Sequence, residues 1–288
     1  MNKTPRLSKS GVEYLDYSWG IWSGCRNLET GICPVKACWA KGIVNHYPKL
    51  YPNGFNPTYY PEAIDSPKHL RKPSIISVGW VGDVIGYGIE HKDEIFETIR
   101  QCPQHKFLFL TKNPDRLINW GEFPDNAWVG VTVCNQEMVN KSIPTLMNIE
   151  AKVRYVSIEP MLEPVNLTKI EFGRYLPDDK PYLINAFEDR YIFGDEGDIE
   201  LRKIDLVMLG AQSKPTVYPE IGWVQTIALA CTKADIPLFL KDNLKPLLPH
   251  RMPFYGTYIW KEMSNGAMIT MSENRFRQEL PDWDKEYV

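Results

Sequence analysis

The sequence predicts an α/β fold in which strands buried on both faces alternate with amphipathic helices. Three observations predict it. From about Pro73 onward, short apolar and β-branched runs recur, each is followed by a polar or Gly-containing turn, and the intervals between them carry apolar residues at helical spacing. Near-continuous apolar runs suit a parallel sheet covered on both sides. Strand–helix alternation with right-handed crossovers then gives either a barrel or an open doubly wound sheet.

The strand runs are Ser74–Gly79, Lys106–Leu110, Ala127–Val133, Val153–Ile158, Ile204–Gly210 and Pro237–Leu240. A first helix places Ile95, Ile99 and Cys102 on one face with Phe96 beside them. A second starts with Asn113 as N-cap and Pro114 at the first helical position, where the missing N–H costs little. A third carries Trp223, Ile227 and Cys231 and ends at Asp235-Ile236-Pro237. Residues 168–203 (Thr168–Lys203), rich in Asp, Glu and Tyr, break the rhythm and read as an insertion, with hairpins as one form for it. A C-terminal extension, 249–288, is irregular and aromatic, with Phe254, Tyr255, Tyr258 and Trp260. Both segments are candidates to cover a barrel mouth or to serve as plain surface decoration. At 288 residues, the chain reads as one α/β domain over 1–288.

Hydrophobic residues make up 43% and charged residues 24%, enough apolar surface for a sizeable core. No apolar run reaches the ~18 residues of a membrane span, and the first fourteen residues lack a signal-peptide core, so a cytoplasmic protein without membrane partners is expected. A net charge of −3 gives no global attraction for nucleic acid, while leaving room for a local basic patch.

Six cysteines, three of them within fourteen residues, do not form the dispersed framework of a secreted disulfide scaffold. Seven residues separate Cys25 from Cys33 and four separate Cys33 from Cys38, and Gly24, Gly31 and Pro34 let the chain curl so that three sulfurs can converge. Structural zinc wants four protein ligands, whereas a [4Fe–4S] cluster on three thiolates leaves one iron open. His46 is the fourth donor in a competing Cys₃His zinc reading, and three unliganded thiols are the bland one. Cys102 and Cys231 fall on apolar helix faces and read as core. Cys134, at a strand end, reads as packing ahead of a catalytic thiol.

The order Trp22-Ser23-Gly24-Cys25, a seven-residue gap, the end Cys38-Trp39-Ala40, then Tyr51-Pro52-Asn53-Gly54-Phe55 and Arg71-Lys72-Pro73 resembles an uncharacterised, phage-associated family of three-cysteine proteins of the Gp37/Gp68 type. Its later landmarks stand at Cys102-Pro103-Gln104-His105, Leu110–Arg116, Trp128–Val133, Val156–Leu162 and Pro237–Lys241, so the resemblance covers most of the chain. That family looks radical-SAM-like. The resemblance implies a partial (β/α)₆ barrel of the TIM type with Leu15–Trp22 as first strand, and a [4Fe–4S] cluster on Cys25, Cys33 and Cys38 with S-adenosylmethionine on the open iron. The implied activity is reductive cleavage to a 5′-deoxyadenosyl radical that abstracts hydrogen from a substrate. Implied partners are S-adenosylmethionine, a substrate of nucleobase, nucleotide or nucleic-acid type, and a reductant protein. The chain departs from the family pattern in three places. Four residues stand between the second and third cysteines where the family usually has two. Cys134 replaces a Glu, and Gly210-Ala211-Gln212-Ser213 stands for Gly-Gly-Glu-Ser. A member that keeps its cluster without catalysis is therefore a rival reading, as is a non-catalytic zinc module.

Ligands of parallel α/β folds bind at the C-terminal ends of the strands, which here carry Asp83, Thr111, Lys112, Asn135, Gln136, Glu159, Gln212, Ser213 and Lys241. Glu159 and Lys241 are the candidate catalytic pair, and Asp83, Lys112, Glu159 and Gln212 the candidate cofactor-binding residues. The bland alternatives are a buried ion pair of Glu159 with Lys112 or Lys241, an Asx turn at Asp83, and solvated helix charge at Lys112 and Arg116. Aromatics between Cys38 and Tyr60 (Trp39, Tyr47, Tyr51, Phe55, Tyr59, Tyr60) can stack on a base or pack within their own loop.

Overall fold

In a computed structural model, residues 6–175, 180–192, 198–247, 258–259, 270–271 and 277–281 are described. The chain falls into two compact units, Met1–Val131 with Ile149–Val153, and Thr132–Asn148 with Arg154–Val288.

The first unit holds β1 (Leu7–Lys9), β2 (Tyr17–Trp19), β3 (Trp22–Gly24), α1 (Trp39–His46), β4 (Thr58–Tyr59), β5 (Ile75–Val78), β6 (Val81–Gly82), α2 (Val84–Tyr87), α3 (Lys92–Arg100), β7 (Lys106–Thr111), α4 (Pro114–Leu117) and the start of β8 (Ala127–Val133). β2, β5, β7 and β8 pair in that order, all parallel, with β1 antiparallel on the outside. Every residue of β5 and β8 is buried, which is why these runs are apolar without alternation. α3 buries Ile95, Phe96 and Ile99. Phe96 meets Phe109, Trp120 and Phe123 at ring separations of 5.1–6.2 Å, an aromatic core of edge-on and tilted contacts. Buried Asn126 ties the loop after α3 together by donating to the carbonyls of Ile99, Cys102 and His105.

The expected first strand, Leu15–Trp22, is two strands. β2 pairs with β5, the Gly20 amide donates to the Arg6 carbonyl at 2.7 Å as the next rung of the β1–β2 ladder, and beyond it β3 pairs with β4 and, in parallel, with β6. Asn113 stands at the N-cap of α4 but its side chain makes no cap bond, and its backbone N–H donates to Thr111 Oγ1 instead.

The second unit holds the end of β8, α5 (Gln136–Met147), β9 (Val153–Ile158), β10 (Ile170–Tyr175), β11 (Lys180–Ile184), β12 (Arg190–Ile192), β13 (Ile199–Leu201), β14 (Leu206–Leu209), β15 (Gln212–Ser213), β16 (Thr216–Val217), α6 (Ile221–Lys233), β17 (Leu238–Leu240), β18 (Tyr258–Ile259) and β19 (Thr270–Met271). β9, β14 and β17 are adjacent and parallel. The 168–203 insertion forms two antiparallel pairs, β10 with β11 and β12 with β13. In the 249–288 extension β18 pairs with β19, and Phe254, Tyr255 and Trp260 lie outside the described residues. Cys102, Cys134 and Cys231 are buried. No helix among the described residues is long and apolar enough to cross a membrane.

The fold is thus mixed α/β with parallel strands. Several of the parallel strands deliver their carboxyl ends to candidate site residues: Cys25 after β3, Asp83 after β6, Thr111 and Lys112 at β7, Glu159 after β9 and Lys241 after β17.

Candidate functional site

In the first unit the three cysteines sit on the loop after β3. None is in a disulfide, and Cys25, Cys33 and Cys38 are each half-buried, with Cys38 at the N-cap of α1. The start of the loop is fixed by backbone contacts. The Cys25 amide donates to Phe55 O at 3.2 Å and the Asp83 amide to Gly24 O at 3.3 Å. Gly24 has φ +83°, and a Cβ there would stand 2.1 Å from the Asn56 carbonyl oxygen, so only glycine lets the two chains approach this closely.

Asn27 organises the segment between Cys25 and Cys33. Its backbone N–H donates to Cys25 Sγ at 3.3 Å and its carbonyl accepts from the Cys33 N–H at 2.9 Å. Its buried amide donates to Asp83 Oδ2 at 2.7 Å and accepts from the Tyr87 hydroxyl at 2.8 Å. Asp83 is itself buried and receives four donors: Asn27, the Thr111 hydroxyl at 2.9 Å, the Gly86 N–H at 2.9 Å and the Lys112 N–H at 3.3 Å. Three of these bonds fall on Oδ2 and one, from Gly86, on Oδ1. In this structure the carboxylate caps α2 and anchors the cysteine loop. Burial pushes its carboxyl above the usual range, with the four donors pulling the other way.

Cys25 shows the field these groups make. Burial, then the neighbouring Asp83, then Cys33 and Cys38 push its thiol up to about 12, against the Asn27 N–H, which favours the thiolate. Among the described residues, no three His, Cys, Asp or Glu side chains converge as the donors of one metal ion do. His46, the fourth donor of the zinc reading, is exposed and lies edge-on to Tyr47, with ring centroids 4.6 Å apart. Donors of a single zinc meet one point at ~2.0–2.3 Å, whereas a [4Fe–4S] cluster takes each thiolate on a different iron, so its ligands stand apart. Three free, separate thiols on one loop fit the cluster in donor chemistry.

In the second unit Lys241 Nζ grips both oxygens of Glu159, at 2.7 and 2.9 Å, with both side chains largely buried. The pair lies over Gly210, where a Cβ would stand 3.0 Å from Glu159 Cδ, Glu159 Oε1 and Lys241 Cδ. Next to it, Asn243 bonds both the N–H and the carbonyl of Ala211, fixing the turn after β14. The bidentate contact gives Glu159 one orientation, and the buried pair that the sequence leaves as an alternative is present with Lys241.

The other candidates are divided in their uses. Gln212 donates to Pro215 O within the β15–β16 hairpin, Asn135 caps α5 through Met138 N–H, and Gln136 binds Asn140 and Asn166. The Lys112 backbone N–H serves Asp83. Of the loop aromatics, Tyr60 is buried under the Arg6 guanidinium at 3.3 Å and Tyr59 stacks on His91 at 3.6 Å, while Trp39 and Tyr47 are exposed. Asn27, Tyr87 and Asn243 escape the sequence reading altogether, because no spacing rule links a single polar residue to a partner far along the chain.

A family model described as "protein of unknown function (DUF5131)" matches residues 9–245. No curated protein matches the chain. Among solved structures the chain is similar to spore photoproduct lyase complexed with dinucleoside spore photoproduct, at 10% identity over 83% of this chain and 80% of that one, with a TM-score of 0.44. It is also similar to a cysteine-to-alanine mutant of that lyase with the same dinucleoside, at 9% identity, the same coverage and a TM-score of 0.41. At this distance nothing further rests on either likeness.

Proposed function

The chain belongs to the DUF5131 family of unknown function, and from that premise we propose that it is a radical-SAM-like iron–sulfur enzyme. Cys25, Cys33 and Cys38 hold a [4Fe–4S] cluster on a partial (β/α)₆ barrel, with S-adenosylmethionine at the iron they leave open. The observation that carries this reading is the set of three free thiols on the loop after β3, tied by Asn27 and Asp83 to the carboxyl ends of β6 and β7.

The bound cluster and cofactor supply the chemistry, reductive cleavage to a 5′-deoxyadenosyl radical that removes hydrogen from a substrate. The protein's own residues prepare for it. Half-burial of each cysteine limits water at the sulfurs, and Asn27 and Asp83 hold the loop in place before any metal arrives. Each thiol must lose its proton on loading, and the positive charge of the metal offsets the burial that pushes Cys25 up. Glu159, held in one orientation by Lys241, presents a carboxylate for proton transfer or for a substrate hydroxyl or amine. Exposed Trp39 and Tyr47, beside the cysteine loop in sequence, support a substrate that carries a nucleobase.

Anaerobic purification with iron and sulfide analysis and a visible spectrum tests the reading, on wild type and on a Cys25/Cys33/Cys38→Ala variant. Brown protein with about four irons and four sulfides, lost in the variant, is expected, together with 5′-deoxyadenosine formation under reduction. Colourless wild type holding a single zinc would overturn it. Binding to DNA and RNA that weakens steeply with salt would identify a nucleic-acid substrate, because phosphate contacts release counterions.

A further inference from the structure

Asn27 stands two residues from Cys25 and makes four hydrogen bonds, two within the cysteine loop and two to the scaffold beneath it. The backbone N–H meets Cys25 Sγ, the backbone carbonyl meets the Cys33 N–H, the side-chain N–H meets Asp83 Oδ2 and the side-chain oxygen meets the Tyr87 hydroxyl. The first two contacts act on the loop, and the last two fix Asn27 to α2 and its cap. Asp83, held by Thr111, Gly86 and Lys112 as well, cannot move with a shifting loop. A loop joined to its scaffold only through its ends would let Cys25 and Cys33 sample many positions. Here a buried amide pins the segment between them.

We propose that Asn27 is the positioning residue of the cysteine loop, setting Cys25 and Cys33 in the metal-free protein through its contacts with Asp83 and Tyr87. The proposal rests on the reading of the three cysteines as ligands, and it adds that the loop is pre-organised before loading. Pre-organisation lowers the ordering cost that a metal would otherwise meet, in the way that hydrogen-bonded neighbours of metal ligands raise affinity.

The test is site-resolved alkylation of metal-free full-length protein by iodoacetamide, with mass mapping of all six cysteines, in wild type, Asn27→Ala and Tyr87→Phe. Loss of a buried hydrogen bond to a charged group corresponds to about tenfold or more in a local opening equilibrium. Asn27→Ala is therefore expected to speed modification of Cys25 and Cys33 about tenfold. Tyr87→Phe, which keeps the ring and removes one hydroxyl, is expected to speed it about threefold, the effect of a weaker neutral bond. Buried Cys102, Cys134 and Cys231 should keep their wild-type rates, and thermal unfolding should stay cooperative. Unchanged rates at Cys25 and Cys33, or the same acceleration at all six cysteines, would overturn the proposal. If Asn27→Ala does not fold, the ratio measured in Tyr87→Phe decides alone. A wild-type protein that takes up no iron–sulfur cluster counts against the proposed function, while the alkylation ratios still decide the role of Asn27.

Discussion

In Gly24→Ala the new Cβ would stand 2.1 Å from the Asn56 carbonyl oxygen, 2.3 Å from its carbon and 2.7 Å from the Phe55 oxygen. These are backbone atoms, so no side chain can swing away. Relief requires the 53–56 segment or the start of the cysteine loop to move by about 1.4 Å, given an optimal contact of ~3.5 Å. That movement breaks the Cys25 N–H to Phe55 O bond and strains the Asp83 N–H to Gly24 O bond, each worth about 1 kcal/mol net. The φ of +83° adds about 1–2 kcal/mol for any residue with a Cβ. The variant should lose about 3 kcal/mol or more, a factor of over ~100 in the folding constant. Gly31 is the internal control. It too has a positive φ, +76°, but a Cβ there meets nothing within 4 Å, so Gly31→Ala should cost only about 1 kcal/mol. Equilibrium urea unfolding monitored by tryptophan fluorescence gives both values, with the slope checked against wild type. Equal costs for the two substitutions would refute the reasoning, because they would show that the approach of β3 to the 53–56 segment is not what requires glycine.

Three further outcomes are expected. Glu159→Gln and Lys241→Met should each destabilise by about 2–3 kcal/mol, and the double variant by less than their sum, because either single change leaves a largely buried charge without its partner; additive costs in a double-mutant cycle would show that the pair is not coupled. His105, buried with its pKa depressed by desolvation, binds a proton more readily unfolded than folded, so stability should rise with pH up to about its ordinary 6.5 and fall below it. His105→Phe should flatten that limb of the stability–pH curve, and a limb that persists would place its cause elsewhere. Trp120→Phe removes the indole N–H that donates to Ile85 O at 3.0 Å inside the aromatic core, and should cost about 2–3 kcal/mol by chemical denaturation, part of it the unsatisfied carbonyl.

The sequence by itself determined the elements whose signal is local. Ala127–Val133 and Val153–Ile158 are strands to the residue, because an apolar run of that length has only a buried sheet to enter. The helix at Ile95–Ile99, the helix stop at Asp235-Ile236-Pro237 and the hairpins of 168–203 are local in the same sense, written in periodicity and turn chemistry. The three-cysteine loop was legible for the same reason, since its residues lie within fourteen positions of one another. The single first strand that the resemblance implies, Leu15–Trp22, is instead β2 and β3, which pair with different neighbours. Only the tertiary structure decided which polar residues meet. Asn27 and Asp83 are 56 positions apart and Glu159 and Lys241 are 82 apart, distances over which no spacing rule acts. Asp83 reads from the sequence as a cofactor-binding residue or an Asx turn, and folding shows that it also takes four protein donors, among them Asn27, which the sequence did not single out. Periodicity records which face of an element is covered, but the choice of partner for a buried polar group is made by the chain that happens to lie opposite, and that is fixed only when the strands have paired.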